Sequence, residues 1–341
     1  MKILVTGGAG YIGSHTVRVL RSRGHEPVIF DNLSRGHREA ALDTPLVVGD
    51  LLSLDDLTGA LRTTGSEAVL HFAAFTYVGE SVGHPDVYYR NNTAGTMNLL
   101  EAMRKQKVSK LIFSSTAAVY GDPIRTPIDE SHPQSPVNPY GRSKLMVEWM
   151  LRDHQAAFGL GFAALRYFNA AGSSFDGRIG EDHDPETHLI PRVLLSITGE
   201  IPEVTILGTD WETPDGTCIR DYIHVEDLAQ AHVLALEHLG RGGASNAWNL
   251  GTGKGHSVKE VIQSAERVSH RKVPTVSGAR RAGDPAVLVA SSDKIRKDLG
   301  WKPEHADLDS IVGSAWRWIE KGGRYKKKAT PDEAKTARPI R

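Results

Sequence analysis

The sequence lacks several features that would place it in whole classes of protein. It has one cysteine, Cys218, among 341 residues, which excludes an internal disulfide framework or a cysteine zinc site and favours a reducing compartment. Lys plus Arg and Asp plus Glu number 41 each, so no charge excess indicates a nucleic-acid surface or an anionic membrane. No apolar run approaches the roughly 20 residues that a membrane-spanning helix needs. With a start, MKILVTGG, that leads directly into a strand, these absences predict a cytoplasmic protein with no nucleic-acid or membrane partner.

Short apolar runs alternate with longer segments of helical periodicity over the first half of the chain. We predict strands near 2–7, 27–31, 46–50, 68–74, 110–115 and 162–168, and helices near 12–23, 54–63, 86–106 and 139–158. The strand runs are apolar throughout, which indicates burial on both faces, as in a parallel sheet covered by helices. The fold class is therefore α/β, with a doubly wound parallel-sheet Rossmann domain that binds ligands at the carboxyl ends of its strands.

The regular alternation stops after Asn169. The stretch 172–218 is rich in Gly, Pro, Asp and Thr, whereas 220–236 has the pattern of a strand followed by a helix. We predict that the Rossmann domain comprises 1–169 and about 219–238, and that a smaller mixed α/β substrate domain comprises about 170–218 and 239–322. Residues 323–341 have no apolar periodicity and are predicted to form a flexible tail.

A glycine-rich turn, GGAGYIG (7–13), follows the first predicted strand and opens a helix. Glycines let the backbone approach a pyrophosphate, whose charge is attracted by the helix N-terminus. Asp31 ends the second strand near the spacing expected of an acid that binds the adenosine ribose. A carboxylate there repels a 2′-phosphate and favours NAD, although Arg35 nearby keeps NADP as an alternative. Asp50, which ends the third strand, reaches the adenine edge or simply caps the next helix.

A tyrosine and a lysine lie four residues apart at the start of a predicted helix. Asn138 suits the N-cap and Pro139 the first helical position, so Tyr140 and Lys144 share one helix face. An arbitrary pair of this spacing is ordinarily a surface feature. Beside NAD, a lysine and the cationic nicotinamide would lower the tyrosine pKa from about 10, and the phenolate would then exchange a proton with a sugar hydroxyl. Thr116, after the fifth strand, is the predicted third member, which relays the proton or holds the reacting oxygen.

Several segments together resemble the extended short-chain dehydrogenase/reductase superfamily and, within it, the family of UDP-glucose/UDP-galactose 4-epimerases. The likeness spans about residues 1–320. The segments are TGGAGYIGSH, FSSTAAVYG, YGRSK, FAAFTYVGES (72–81), YYRNN (88–92), LRYFNAAG (165–172), RDYIHVEDLA (220–229), WNLGTG (248–253) and RRAGDPA (280–286).

The resemblance implies an isomerase that interconverts UDP-glucose and UDP-galactose through a transient 4-keto sugar, with bound NAD taking and returning the C4 hydride. It assigns catalysis to Tyr140, Lys144 and Thr116. The predicted cofactor-binding residues are Gly7, Gly10, Tyr11, Ile12, Gly13, Asp31, Asn32, Ser34, Arg35, Gly36, Asp50, Leu51, Phe72, Ala73, Ala74, Thr76, Asn91, Tyr140, Lys144 and Phe168. One of them departs from the family, because members often carry a lysine where this chain has Thr76.

The resemblance also implies a UDP-sugar site in the second domain. The predicted substrate-binding residues are Thr116, Tyr140, Asn169, His188, Leu189, Thr205, Leu207, Arg220, Arg281, Asp284 and Leu288. A guanidinium matches a diphosphate bidentately, although Arg220 is alternatively an interdomain salt bridge and Arg281 one of a solvated pair with Arg280. Leu288 matches the family's size gate for N-acetylated sugars and is neither bulky nor small, so the preference for UDP-glucose and UDP-galactose is the favoured but open choice.

The acidic segment EDHDPETH (181–188) contains two histidines. His183 and His188 are five residues apart, which does not align them on a helix face, and Pro185 interrupts regular structure. We therefore predict a polar loop and no metal site.

The helices predicted at 86–106 and 139–158 have two interpretations. They either cover the sheet or, as the resemblance implies, also pack with their copies in a second subunit as a four-helix bundle, which gives a homodimer.

Three other functions compete with this prediction. A nucleotide-sugar 4,6-dehydratase needs an acid–base pair, and relatives carry Asp-Glu immediately after the strand-five threonine, where this chain has Ala117-Ala118. A 4-epimerase of UDP-N-acetylglucosamine, UDP-glucuronate or a UDP-pentose would differ only in the hexose pocket. A non-catalytic NAD-binding regulatory protein would not need Tyr140, Lys144 and Thr116 together.

Overall fold

The structure is a computed structural model that describes residues 1–281 and 284–325. In chain order the strands are β1 (Lys2–Thr6), β2 (Glu26–Asp31), β3 (Leu46–Val48), β4 (Ala68–His71), β5 (Lys110–Ser114), β6 (Gly161–Tyr167), β7 (Asn169–Ala171), β8 (Val204–Leu207), β9 (Ile219–His224), β10 (Asn246–Leu250), β11 (Gly255–Ser257), β12 (Thr275–Gly278) and β13 (Val287–Leu288). The α-helices are α1 (Tyr11–Ser22), α2 (Leu54–Thr64), α3 (Val78–Gly83), α4 (Pro85–Tyr88), α5 (Gly95–Lys105), α6 (Pro139–Phe158), α7 (Leu189–Thr198), α8 (Val225–Gly240), α9 (Val258–Ser269), α10 (Asp293–Leu299) and α11 (Leu308–Glu320). Every helix in these ranges is too short or too polar to cross a membrane.

A seven-stranded parallel sheet forms the larger part of the molecule, with the strand order β10-β6-β5-β4-β1-β2-β3. The strand sequence runs outward in opposite directions from β1 and β4, and ligands of doubly wound sheets bind at such a switch point. Successive residues of β1 face opposite sides of the sheet, so Ile3 and Val5 join one buried apolar cluster with α1 and α8, whereas Leu4 joins another with α2, α5 and α6. The predicted α/β fold with a parallel sheet covered on both faces is confirmed.

A second region contains shorter strands of mixed direction. Strand β9 pairs with β7, β11 and β13, and β8 pairs with β12. Helices α7, α9 and α11 cover this region with an apolar core of their own, which includes Leu194, Val261 and Trp316. The region therefore has the mixed α/β character that the sequence predicted.

The observed elements correct three details of the prediction. The helix predicted at 86–106 is divided into α4, a π-helical turn (Tyr89–Ala94) and α5. Strand β10 is an edge strand of the large sheet although 239–322 was assigned to the second domain, and β9 lies in the small sheet although 219–238 was assigned to the first. Both pairings join distant parts of the chain, and local periodicity contains no information about the partner strand.

The chain end is partly packed rather than free from residue 323. Tyr325 is buried, its ring stacks on His37 at 4.7 Å, and its N–H donates to the Asp182 carboxylate at 2.9 Å. The predicted tail is therefore wrong for Tyr325. The remainder of that prediction, 326–341, lies outside the described residues.

Candidate functional site

The turn between β1 and α1 brings backbone segments too close together for side chains at Gly7 and Gly13. Gly7 has a φ of 71°, and a Cβ atom there would lie 2.5 Å from the backbone nitrogen of Ala73. A Cβ atom on Gly13 would overlap the Gly7 carbonyl oxygen. Helix α1 begins after Gly10, which makes no side-chain cap, so the first-turn N–H groups are not capped by that residue and can meet an anion. This turn fits the pyrophosphate of a dinucleotide.

Asp31 ends β2 directly beside this turn. Its buried carboxylate accepts hydrogen bonds from the N–H groups of Ala9 at 3.0 Å and Leu33 at 2.8 Å. Burial raises the pKa of Asp31, and these hydrogen bonds partly offset that rise. Arg35, which kept NADP open as an alternative, donates to the Asp184 carbonyl at 3.0 Å and to Glu80 at 3.1 Å. Because its guanidinium is already engaged, the arrangement favours NAD.

The loop after β2 gathers the other residues predicted to bind adenosine. Asn32 donates to the Asp50 carboxylate at 2.9 Å and accepts from the Ser34 hydroxyl at 2.7 Å. A Cβ atom on Gly36 would lie 3.0 Å from the Asp31 carboxylate, so glycine keeps this face of Asp31 open. Their contacts with NAD stay a prediction, as do those of Ile12, Leu51, Ala74, Asn91 and Phe168.

Residues after β4 line the other side of the glycine turn. The N–H groups of Phe72 and Ala73 both donate to the Thr6 carbonyl, at 2.9 and 3.1 Å. Thr76 is exposed. The hydroxyl of Tyr11 donates to the Gly172 carbonyl at 2.6 Å, which ties α1 to the second region.

Tyr140 and Lys144 lie on the first two turns of α6, as predicted. The Asn138 side chain accepts from the Gly141 N–H at 2.9 Å and Pro139 occupies the first turn. The Lys144 ammonium is buried, donates to the Ser114 carbonyl at 2.9 Å, and lies 4.9 Å from the centre of the Phe113 ring. This helix start thus meets the carboxyl end of β5.

The protonation of this pair differs from the prediction. Burial raises the pKa of Tyr140 to about 12, an effect that the neighbouring Thr116 hydroxyl reduces. Burial lowers the pKa of Lys144 to about 7. The expectation that Lys144 lowers the Tyr140 pKa is therefore not met by the protein's own groups, because desolvation dominates for both side chains.

The π-helical turn supplies a residue that sequence reasoning missed. The amide of Asn92 accepts from the Phe75 N–H at 2.9 Å and donates to the Phe75 carbonyl at 2.9 Å and the Ser143 hydroxyl at 3.1 Å. Ser143 lies between Tyr140 and Lys144 on α6. The motif YYRNN predicts a role for Asn91 instead, and the Asn91 side-chain amide donates to the Asn92 side-chain oxygen at 3.0 Å.

A buried polar network behind α6 was also missed. Glu148, one turn after Lys144, accepts from Arg166 of β6 at 2.9 and 2.5 Å and from the Ser115 hydroxyl at 2.6 Å. Arg166 also donates to the Tyr120 hydroxyl at 2.8 Å. The network joins α6, β6 and the end of β5, and it fixes the residue directly before Thr116.

The predicted substrate residues of the second region are spread over β7, β8, β9, β13, the start of α7 and the segment that contains Arg281 and Asp284. Arg220 is opposite Leu288 in the sheet, and its guanidinium is 3.8 Å from the Asp284 carboxylate. The salt-bridge alternative for Arg220 thus involves another predicted substrate residue. The Asn169 side chain donates to the Asp221 carbonyl at 3.0 Å. Thr205 and Leu207 lie on β8, and His188 and Leu189 lie at the start of α7.

The two adjacent arginines have different environments. Arg280 donates to Asp210 at 2.8 Å and lies 4.3 Å from the Trp211 ring centre, whereas Arg281 is exposed. A cavity of about 580 Å³ lies beside Asp284, between residues 122–126 and 284–287. The structure brings Arg220, Asp284 and Leu288 together; the described contacts do not include Arg281 in that group beyond its backbone bond to Asp284.

The segment 181–188 forms a compact polar cluster, which sequence reasoning did not foresee. The ligand atoms of Glu181, His183, Glu186 and His188 lie within 4.8 Å of one another. Although burial opposes it, the two carboxylates raise the pKa of His188 to about 10. The chain turn around Pro185 brings the two histidines together, which helix-based spacing could not anticipate.

Comparison with known proteins agrees with this geometry. The NAD dependent epimerase/dehydratase family matches residues 3–251. UDP-glucose 4-epimerase of Halalkalibacterium halodurans is 52% identical over 319 residues, which cover 93% of this chain and 95% of that protein. The crystal structure of UDP-glucose 4-epimerase from Brucella ovis in complex with NAD has a TM-score of 0.91 and 51% identity over 92% of this chain and 97% of that one.

A second solved structure, UDP-glucose 4-epimerase from Bifidobacterium longum in complex with NAD+ and UDP, has a TM-score of 0.89 and 38% identity over 95% of this chain and 99% of that one. The similarity therefore extends over nearly the whole chain. The chain belongs to the NAD dependent epimerase/dehydratase family.

Proposed function

We propose that this protein is an NAD-dependent isomerase that interconverts UDP-glucose and UDP-galactose. The observation that carries the proposal is the meeting of Tyr140, Lys144 and Thr116 at the carboxyl end of the parallel sheet. Relatives named UDP-glucose 4-epimerase that match nearly the whole chain support the choice of reaction. The single cysteine, Cys218, favours a reducing location, and we place the activity in the cytoplasm.

Tyr140 is the group that moves the proton. Its phenolic oxygen accepts the proton of the sugar 4-hydroxyl and later returns it, while the Thr116 hydroxyl holds the reacting oxygen. Bound NAD supplies the hydride acceptor and donor for C4 together with a positive charge near the phenol. Since the pKa of Tyr140 is about 12 without that charge, added positive charge is required before the phenolate forms at neutral pH. When the Lys144 amine is protonated, its positive charge stabilises the Tyr140 phenolate.

Inversion at C4 requires that the 4-keto sugar present its opposite face before it is reduced. The nucleotide must therefore stay bound while the hexose turns. The Arg220 guanidinium and the Asp284 carboxylate are 3.8 Å apart, which is longer than a hydrogen bond, and both are partly exposed. The guanidinium therefore remains able to bind a diphosphate bidentately. The cavity beside residues 284–287 leaves space next to this pair.

The rival functions are less well supported by the site. Ala117 is buried directly after Thr116, and neither it nor Ala118 can supply the acid–base pair that a 4,6-dehydratase needs. A non-catalytic NAD-binding protein would gain nothing from a buried lysine beside a tyrosine, because burying an ammonium lowers stability. A 4-epimerase of UDP-N-acetylglucosamine, UDP-glucuronate or a UDP-pentose is the closest alternative, since only the surroundings of Leu288 would change.

One experiment tests both the reaction and the sugar. Purified protein is incubated, with no added cofactor, with UDP-galactose, UDP-N-acetylgalactosamine or UDP-glucuronate, and the products are separated by chromatography. The proposal predicts that UDP-galactose is converted to UDP-glucose fastest. Faster conversion of another sugar replaces the substrate assignment. If no sugar is converted, the incubations are repeated with saturating NAD, and absence of turnover there contradicts the enzymatic function.

We also propose a homodimer through a four-helix bundle of α5 and α6. Met97 on α5 and Trp149 and Phe158 on α6 are at least 50% exposed. Large apolar side chains that two neighbouring helices expose indicate an interface, and two such helices from each of two copies complete a bundle.

Sedimentation equilibrium tests the dimer. The chain of 37.2 kDa is expected to sediment at about twice that mass, and Trp149→Glu is expected to shift it to the monomer because a charge would be buried at the interface. Val48→Glu, at the exposed edge strand β3, is the matched control and should leave the mass unchanged. A monomeric wild-type protein would contradict the proposal.

A further inference from the structure

The loop that leads into α7 contains four side chains whose ligand atoms converge. Glu181, His183, Glu186 and His188, here the His–Glu cluster, lie within 4.8 Å of one another. The carboxylates of Glu181 and Glu186 are 6% and 9% exposed. Burying two carboxylates so close together is costly unless positive charge compensates them. The cluster therefore needs cations, which either the two imidazoles or a bound metal ion can provide.

Hydrogen bonds alone satisfy the His–Glu cluster incompletely. The Nδ1 atom of His188 lies 2.8 Å from Glu181 and 2.9 Å from Glu186, yet one N–H cannot point well at both oxygens. The Nδ1 atom of His183 lies 3.2 Å from Glu181 but is buried without a hydrogen-bond partner among the described residues. Both ring nitrogens are thus directed at the same two carboxylates, and one of them has no aligned acceptor.

The separations suit a small divalent cation. Zinc bonds to imidazole nitrogen and carboxylate oxygen at about 2.0–2.2 Å in a tetrahedron, which places neighbouring ligand atoms about 3.4 Å apart. In the cluster Glu181 Oε1 lies 2.8 Å from the His188 nitrogen and 3.2 Å from the His183 nitrogen, while Glu186 lies 2.9 Å from His188 through Oε1 and 3.6 Å from His183 through Oε2. An outward movement of roughly half an ångström by His188 would bring its two nitrogen–oxygen separations to that tetrahedral spacing. We propose that the His–Glu cluster binds one divalent transition-metal ion, with Zn²⁺ as its best match, through two imidazole nitrogens and two carboxylate oxygens.

The ligands are held in place before any ion binds. The ring of His183 is edge-on to Tyr11 at 6.2 Å and to Tyr77 at 6.0 Å, so its orientation is fixed by packing. Two carboxylates also balance the charge of a divalent cation when both imidazoles are neutral. A preformed, neutral site of this kind distinguishes the cluster from an ordinary exposed acidic loop.

The metal would join the cofactor side of the site to the substrate side. Two residues of the cofactor side contact the same loop. Arg35 donates a hydrogen bond to the Asp184 carbonyl, and the His37 ring nitrogen lies 3.0 Å from the Asp182 carbonyl oxygen. His188 immediately precedes α7, where Leu189 is a predicted substrate residue. An ion that ties 181 to 188 would therefore fix the start of α7 relative to the loop 31–37.

Metal binding is tested without using activity, so its failure is distinguishable from failure of the epimerase proposal. Full-length, NAD-saturated protein is treated with chelator, dialysed, and titrated with Zn²⁺ by calorimetry and with Co²⁺ by visible absorption. We expect one Zn²⁺ per chain and the intense visible bands of tetrahedral Co²⁺. His183→Gln and Glu181→Gln are each expected to weaken binding at least tenfold, in line with the loss of one ligand from a four-ligand site.

The matched control is His25→Gln. His25 is comparably buried and lies 3.9 Å from Glu237, but it is outside the cluster and should leave binding unchanged. Absence of stoichiometric binding overturns the proposal, as does equal Zn²⁺ binding by wild type and both cluster variants, which would indicate an adventitious ion only. If a cluster variant does not fold, the Co²⁺ spectrum of the wild type decides, since weak octahedral bands contradict a His₂Glu₂ tetrahedron.

Discussion

Lys144 and Arg220 are both cations of the site, and their surroundings differ. Lys144 is 3% exposed and is held by the Ser114 carbonyl at 2.9 Å. The Arg220 side chain is 13% exposed, and its nearest carboxylate, Asp284, is 3.8 Å away. Lys144 lies near the buried network of Glu148, Arg166 and Ser115, whose hydrogen bonds are 2.5 to 2.9 Å long. The ion pair of Arg220 is longer.

This difference matches two physical tasks. Proton transfer requires a phenol held within hydrogen-bond distance of one hydroxyl, which the buried contacts of α6 provide. A hexose that must turn over between two half-reactions requires a nucleotide clamp that binds firmly without enclosing the sugar. Substitutions in the first region should therefore change turnover and stability, whereas those in the second should change substrate binding.

The largest effect is expected for Tyr140→Phe. Removal of the hydroxyl that we propose transfers the proton should lower turnover of UDP-galactose by about 10²–10⁴-fold, with UDP-sugar binding by calorimetry nearly unchanged. Tyr89→Phe, on the π-helical turn, is the control and should retain activity. Near-normal turnover by Tyr140→Phe would contradict the assignment of proton transfer to the region around α6.

Glu148→Gln tests how much the buried ion pair of α6 contributes to the free energy of unfolding. It leaves the buried Arg166 guanidinium without its carboxylate, and breaking a buried pair costs about 3–5 kcal/mol of unfolding free energy. The exposed pair Arg267–Asp309 has a similar separation of 2.6 Å, so Asp309→Asn should cost about 1 kcal/mol or less. Urea unfolding measures both; equal losses would contradict the contrast between buried and exposed pairs.

The pH dependence of stability tests the burial of Lys144. Burial lowers its folded-state pKa to about 7, below the ordinary value of about 10.4. Between these values the unfolded chain binds a proton that the folded chain lacks, so stability rises with pH by up to about 1.4 kcal/mol per unit. In NAD-free protein the free energy of unfolding of Lys144→Met should therefore exceed that of wild type by most near pH 7, and this difference should shrink towards pH 10. A constant difference would show that the ammonium is solvated.

Arg220→Gln should act on binding. Loss of a charged hydrogen-bonding group costs about 1.5–3 kcal/mol, which corresponds to roughly a 10–100-fold increase in KM for UDP-galactose with little change in kcat. Arg280→Gln is the matched control, because Asp210 and Trp211 already engage that guanidinium. A fall in kcat without a change in KM would place Arg220 in the catalytic region instead.

The smallest effect is expected for Asn138→Ala, which removes the cap of α6. The Asn138 side chain accepts from the Gly141 N–H at 2.9 Å, and loss of such a cap costs about 1 kcal/mol. Urea unfolding should detect this loss while turnover falls far less than for Tyr140→Phe. Unchanged stability would mean that contacts elsewhere on α6 hold its first turn.

Local sequence signals predicted much of this molecule. The strands of the large sheet before Asn169 and the helix at 139–158 were predicted within three residues of each observed end, because apolar runs and caps are local. Tyr140, Lys144 and the glycine turn also follow from spacing along one element. The family and the parallel α/β fold were confirmed.

Long-range contacts account for what was missed. Strand β10 pairs with β6 about 80 residues earlier, and Glu148 and Arg166 meet only because α6 lies on that strand. The raised pKa of Tyr140 depends on burial, which local spacing does not reveal. The His–Glu cluster depends on a loop conformation that helical periodicity cannot describe.

The wide turn at Tyr89–Ala94 has a consequence for variation in chain length. This π-helical turn accommodates more residues per turn than an α-helix would. The side-chain amide of Asn92 within it forms hydrogen bonds with both Phe75 and Ser143. Deleting one residue there would let α4 and α5 merge into an unbroken helix with its apolar face intact, yet it would rotate that amide away from both partners. A homologue shortened at this point would keep its fold while the segment after β4 lost its anchor to the catalytic helix.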